Sequence, residues 1–431
     1  INMYGKYGHP EDARWVFEEM TNRDVVTWNV MMRVFSQLGL EKEVFNLFHQ
    51  MQNNCVKPTR VSFISIIDIC GHGTLPERGH LVHVCIIDSD SSLDMVVNNA
   101  LVNMYVKLNA LEDAHRVFVM MIHHNVISWT TLILGYVKCG KGNEAMQLFS
   151  QMQEEGISPN TITLICAMKA CSVTGSIEVG REIEDQIRKQ GLLQTDIAVG
   201  TTLVDMYAKC GSLEKAQEVF HELPMQNVIS WTALIAGYAL YGHGNEALRC
   251  FRQMKDEGVL PNTVTYICVL KACGIVGSLE IGELIDVEIR KRGLLREDVV
   301  LGTTLVDMYA KCGALVKAQE LFNALPFRDL ILWSTLISGY AQLMHAEEAL
   351  DCFDQMQLEG FSPDAVTFVS VLKACGTIQD TLKGQEAHAK IVKNGFLEND
   401  MVVGNALIDM YADFRMLAEA QKVFDQLSVL E

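Results

Sequence analysis

The residues Gly200 to Gly211, GTTLVDMYAKCG, return unchanged at Gly302 to Gly313. Looser copies stand at Asn98 to Asn109 and at Gly404 to Arg415, and the chain opens inside another at Ile1 to Gly8. A block copied at a fixed period demands a fold that grows by stacking, because each small unit can bury its apolar face only against its neighbours. One closed core is therefore excluded, although 431 residues would otherwise suggest about three globular domains.

The period divides into three unequal units, each reading as two antiparallel helices. In the central copy, residues 197–227 form a short unit with a turn at Cys210-Gly211, Ser212 as N-cap, Glu214 opening the second helix and Pro224 beyond its end. Residues 228–262 form the next, with a second helix from Asn245 to Gly258 and Pro261 just past it. Residues 263–298 form the longest. The same order places 35-residue units at 25–59, 126–160, 228–262 and 330–364, and long units at 60–94, 161–196, 263–298 and 365–400. Short units fall at 95–125, 197–227, 299–329 and 401–431, after a partial short unit at 1–24. The 60–94 unit departs most: it is one residue short of the other long units, and Asp68 replaces the lysine of the later copies, Lys169, Lys271 and Lys373. Just before it, Cys55 stands where Gly156, Gly258 and Gly360 end the equivalent helix.

Composition suits packed helices, with 49% hydrophobic residues, 20% charged residues and only 8 prolines. A long uncharged run includes Asn227 to Asn245, yet it holds Gly237, Gly242, His243 and Gly244 and falls where other copies place a short helix and a turn, so no membrane span is expected. The 13 cysteines are odd in number, follow the repeat (Cys171, Cys273 and Cys375 are copies) and include no CxxC pair, which indicates reduced thiols rather than disulfides or zinc. The paired HxE and PCxxC signature of a zinc deaminase is absent, as are a P-loop and a GxSxG elbow. His80 and His83 read as packing or surface residues. No catalytic centre, metal or cofactor is expected. The first residue is not Met and falls partway through a unit, so a true N-terminus is expected upstream.

Hairpins of 35, 36 and 31 residues in fixed order, with NVISWTALIAGYA, VTYICVLKACG and LVDMYAKCGSLEKAQEVF as signatures, resemble the pentatricopeptide repeat proteins of the plant PLS subclass over essentially the whole chain. Tetratricopeptide repeats keep a single length of about 34 residues. The resemblance implies an all-α solenoid of helical hairpins coiled into a right-handed superhelix, with first helices lining a groove for single-stranded RNA, one base per unit. It further implies a mitochondrial or chloroplast protein that positions C-to-U editing, with the deaminase supplied by a C-terminal extension or by a partner in trans. Transcript stabilisation or processing without editing and a protein-binding scaffold remain as other readings.

By the family's rule, bases are read by the fifth residue of a unit and by its last. The pairs are Asn29 with Thr59, Asn99 with Asn125, Thr130 with Asn160, Thr201 with Asn227, Thr232 with Asn262, Thr303 with Asp329, and Ser334 with Asp364. Asn405 pairs with Glu431 at the end of the chain. A carboxylate only accepts and suits the ring N–H of guanine or uracil, whereas an amide can donate to adenine or cytosine. In the family, Thr or Ser at the fifth place selects a purine and Asn a pyrimidine. The long units carry Ile64, Ile165, Ile267 or Val369 there, which offer no hydrogen bond and leave their bases unspecified. The expected site, 5′ to 3′, is YNYANAANGGNY. The second places of the other units, Val26, Val96, Ile127, Ala198, Ile229, Val300, Ile331 and Val402, would wedge between bases, and plain helix packing explains them equally well. Lys107, Lys138, Lys209 and Lys311 match a phosphate-contacting lysine at the thirteenth place, as does Lys6 in the opening fragment. Trp28, Trp129, Trp231 and Trp333 neighbour the reading residue, but adjacent helical residues point about 100° apart, which sends the indoles between hairpins. Against this stands a net charge of −18, the reverse of a basic nucleic-acid footprint. Many of the acids fall on second helices, such as Glu214, Glu218, Glu246 and Glu283.

Overall fold

The computed structural model describes residues 1–71, 76–89, 94–296, 298–326 and 328–428. All regular structure among them is helical, and the chain divides into two compact units, Ile1–Met225 and Gln226–Glu431. In the first, the helix that opens each repeat runs over Val25–Gln37, Arg60–Cys70, Met95–Lys107, Val126–Lys138, Thr161–Thr174 and Ile197–Lys209. In the second, these helices are Val228–Leu240, Thr263–Val276, Val299–Lys311, Leu330–Gln342, Ala365–Ile378 and Met401–Asp413. Each is followed by a second helix that closes the hairpin.

Side-chain caps set these starting points. Asp24, Asp94, Asn125, Asn160, Asp196, Asn227, Asn262, Asp298, Asp329, Asp364 and Asp400 each precede an opening helix in extended conformation, and each uses Oδ1 to accept a backbone N–H from the first turn. Such a bond satisfies donors that the helix itself leaves orphaned. Ser212 occupies the corresponding place before Leu213–Glu222 but makes no side-chain cap bond, because its backbone is not extended there (φ −86°, ψ 67°). Glu214 lies inside that helix, and the helix expected from Asn245 starts one residue earlier, at Gly244.

Unit length is set after the opening helix. Second helices of the short units at 95–125, 197–227 and 299–329 span 10 residues, as in Leu213–Glu222, against 13 in Gly244–Asp256, so these units lack about one turn. Long units add a turn instead. Gly191, Gly293 and Gly395 take positive φ and lead into Leu192–Thr195, Leu294–Arg296 and Phe396–Asn399. Cys55 adopts the same left-handed backbone (φ 56°) as Gly156, Gly258 and Gly360, without their freedom from a Cβ.

Trp28, Trp129, Trp231 and Trp333 are core residues, at most 1% exposed, whereas Trp15 lies at the surface. Phe17, Phe118 and Phe322 meet Trp28, Trp129 and Trp333 edge-on at 4.9, 4.7 and 4.5 Å. Where a long unit packs on a short one, a tyrosine hydroxyl binds a buried polar group. Tyr309 donates to Asp286 at 2.7 Å while Arg290 binds the other oxygen at 2.7 Å, and Tyr207 donates to Glu184 in the same way. In the outer copies the partner is imidazole: His83 lies 2.9 Å from the Tyr105 hydroxyl and His388 lies 2.8 Å from that of Tyr411. His83 is thus a packing residue. Burial pushes the Cys171, Cys273 and Cys375 thiols up to about 12, which keeps them protonated and inert near neutral pH.

Two stability outcomes follow. Cys55→Gly relieves the left-handed backbone and is expected to raise stability by about 1 kcal/mol, read as a higher urea midpoint. Tyr309→Phe strips a buried carboxylate of a donor and is expected to lower stability by about 1–3 kcal/mol; an unchanged midpoint would show that Asp286 is satisfied by Arg290 alone.

Candidate nucleic-acid interface

Places two, six, nine and thirteen of an opening helix follow one another at helical spacing and share a face. The second place is exposed throughout: Val26, Ile229, Val300, Ile331 and Val402 are each 60% exposed or more, and Val96, Ile127 and Ala198 are also exposed. The long units repeat this with Val61, Ile162, Val264 and Val366. β-Branched side chains are neither good helix formers nor favoured at the surface, so plain helix packing does not account for an exposed one in eleven of the twelve units.

The fifth places lie deeper. Asn29, Thr130, Thr201, Thr232 and Ser334 are buried, whereas Asn405 is exposed and Asn99 and Thr303 are intermediate. The hydroxyls of Thr130, Thr201, Thr232, Thr303 and Ser334 lie 2.6 to 3.0 Å from the carbonyl oxygen four residues earlier.

The last residues are the helix caps already described, which fixes what they can offer a ligand. With Oδ1 committed to backbone N–H groups, Asn160 and Asn262 keep their amide NH2, with no hydrogen-bond partner among the described residues, as a free donor. Asp329 and Asp364 keep Oδ2 as a free acceptor. Thr59 is the exception: its hydroxyl takes the Asn29 amide at 3.2 Å. Glu431, and the Lys6 side chain, lie outside the described residues.

In the second compact unit these places converge. One hollow of about 240 Å³ is lined by Val300, Thr303, Asp329 and Ile331. The next, about 300 Å³, is lined by Ile331, Ser334, Asp364 and Val366, and a third, about 440 Å³, by Val366, Val369, Asp400 and Val402. Each hollow thus gathers the second, fifth and last residues of one repeat with the second residue of the next. Two β-branched side chains form the walls and one polar cap lies at the side.

The cations on this face are uneven. Lys209 and Lys311 are tied to Asp205 and Asp307 one turn back, both at 2.8 Å, whereas among the described residues no such ion pair involves Lys107 or Lys138. Neutralised pairs of this kind contribute only about 0.3–0.5 kcal/mol to the helix and present little net charge. Lys169, Lys271 and Lys373, at the ninth place of the long units, are exposed and free of ion pairs among the described residues. Lys271 lines the 240 Å³ hollow and Lys373 the 440 Å³ hollow. These three were visible in the sequence as a mark of the long units, and their ninth-place spacing from an exposed second place was the overlooked signal. Also overlooked were Ser62, Thr163, Thr265 and Thr367, buried hydroxyls at the third place of the long units, signalled by Ser or Thr three residues after a cap.

Comparison with known proteins agrees with this architecture. The pentatricopeptide repeat (PPR) family models match residues 23–72, 124–172, 226–274 and 328–377 in one form and 1–25, 99–126, 201–228, 303–328 and 405–429 in the other. A chloroplastic pentatricopeptide repeat-containing protein of Arabidopsis thaliana is 36% identical over 416 residues, covering 96% of this chain and 67% of its own length. A mitochondrial one from the same plant is 32% identical over 99% of this chain and 41% of its own length. The chain therefore spans between two fifths and two thirds of these relatives. The crystal structure of PPR10 in complex with an 18-nt psaJ RNA element superposes with a TM-score of 0.77 at 18% identity, over 97% of this chain and 60% of that one. The shared fold is a repeat solenoid, a scaffold without a catalytic centre of its own, and the chain belongs to the pentatricopeptide repeat family.

Proposed function

We propose that the chain is a sequence-specific single-stranded RNA-binding array whose 35-residue and short units each read one base. The observation that carries this reading is the recurring hollow, with apolar walls from consecutive second places and one cap side chain, Asp329 or Asp364, presenting an acceptor. A wall-and-edge site of this kind suits a stacked base read along its Watson–Crick edge. Asn160 and Asn262 offer a donor, which suits adenine or cytosine; Asp329 and Asp364 offer an acceptor, which suits guanine or uracil. The target on this reading is 5′-YNYANAANGGNY.

The order of unit lengths is that of the PLS subclass, and the relatives are named as chloroplastic or mitochondrial. We therefore place the chain in one of those organelles as the recognition module of a C-to-U editing factor. The deaminase on this reading comes from a segment outside this sequence or from another protein. A stabilising or processing factor would use the same face. The net charge of −18 favours a third reading, a protein-binding scaffold.

Asn262→Asp separates these readings. Aspartate caps a helix as well as asparagine does, so folding is preserved while the free donor becomes an acceptor. The parent chain is expected to prefer a 12-mer of the target sequence with adenine at the seventh base, and the variant to prefer guanine there, each by about tenfold. Equal binding of all sequences, or none, leaves the scaffold as the better account. In a salt series, replacing Lys169, Lys271 and Lys373 with Gln is expected to lower the slope of log affinity against log salt by about 2, more than replacing the paired Lys209 and Lys311. A larger effect from the paired lysines would return the phosphate contacts to the thirteenth place.

A further inference from the structure

We infer that Thr163 and Thr265, the third residues of the long units that follow an asparagine cap, belong to the reading site of the unit before, where the hydroxyl fixes the orientation of the cap amide. This inference rests on the base-reading function proposed above. In all four cycles the buried fifth place is linked to the cap through this hydroxyl. Thr130 lies 2.5 Å from Thr163, whose Oγ1 is 2.9 Å from Asn160 Oδ1. Thr232 lies 2.7 Å from Thr265, which is 2.9 Å from Asn262 Oδ1. Ser334 lies 2.7 Å from Thr367, which is 2.6 Å from Asp364 Oδ1. In the first cycle Ser62 donates to Asn29 at 2.6 Å and stands 3.3 Å from the Thr59 hydroxyl. All four third-place residues are fully buried.

Proton counting gives the chain a direction. Thr232 and Thr265 have one hydroxyl hydrogen each and three contacts to serve: the Val228 carbonyl, each other, and Asn262 Oδ1. If Thr232 donates to Thr265, Thr265 is free to donate to Oδ1, which already accepts the Thr265 backbone N–H at 2.9 Å. Two donors then converge on Oδ1 and hold the amide with NH2 outward. If Thr232 donates to Val228 instead and Thr265 to Thr232, only the backbone N–H remains on Oδ1 and the amide is held less firmly. Amide orientation decides whether Asn262 presents a donor or an acceptor, but the two oxygens of Asp364 are chemically alike, so Thr367 has no such choice to enforce.

The test is Thr265→Val, isosteric and without the hydroxyl, in the full chain, with binding measured to 12-mers that differ only at the seventh base. The expected result is a roughly fivefold loss of adenine-over-guanine preference at that base, with preferences elsewhere unchanged. Thr265→Ser restores the parent preference, and Thr367→Val leaves guanine preference at the tenth base intact. Thr163→Val, read at the fourth base, provides the same test if Thr265→Val does not fold. A purely structural role lowers affinity for every sequence alike, and that outcome overturns the inference. So does an unchanged adenine preference, or an equal loss at the tenth base in Thr367→Val. Absence of any base preference in the parent chain overturns the base-reading function together with it.

Discussion

The bond from a cap Oδ1 to the first turn of an opening helix sets the register of every repeat but the one that follows Thr59. Without it, the early N–H groups of each helix are left to water or to nothing. With it, the chain enters the helix from extended backbone at the last residue of a unit, as at Asn160 (φ −92°, ψ 175°) and Asp364 (φ −96°, ψ 179°). The same side chain ends in a second polar atom that the helix does not use. Capping therefore turns asparagine, which carries both a donor and an acceptor, into a donor, and aspartate into an acceptor. Helix stability is nearly indifferent to that exchange. The identity of the cap is free to vary with the ligand while the fold stays fixed.

Much of this architecture was legible in the sequence because it is local. Proline and glycine positions, unit lengths and the exact return of GTTLVDMYAKCG need no tertiary knowledge. Tryptophan burial followed from helical geometry alone. The losses came where tertiary contacts decide. Ser212 has the right side chain for a cap but the wrong backbone, and only the turn that precedes it reveals this. Asp286 and Glu184 look like ordinary surface acids on an amphipathic second helix until Tyr309 and Tyr207 are brought over them from the next unit. The depth of the fifth place was likewise hidden, since Thr232 is covered by residues of the following repeat.

The negative charge becomes intelligible once its location is known. Acids lie not only on second helices but also on the opening ones, where Asp205 and Asp307 neutralise the neighbouring lysines. The free cations of this face include Lys169, Lys271 and Lys373, in units whose fifth place is aliphatic and has nothing to offer a base edge. On the proposed function, the long units contribute cations to this surface without reading bases.

That separation bears on specificity. A polyanion binds any array of free cations without regard to sequence, through counterion release that grows with each phosphate neutralised. An array whose lysines were all unpaired would hold every RNA well, and a hydrogen bond worth about 1–3 kcal/mol at one base would have to compete with that background. Pairing Lys209 and Lys311 with aspartates lowers the background, and an overall charge of −18 lowers it further. On the proposed function, what remains depends on whether each cap presents the right atom to its base, so orienting a single amide carries more weight here than it would in a basic protein.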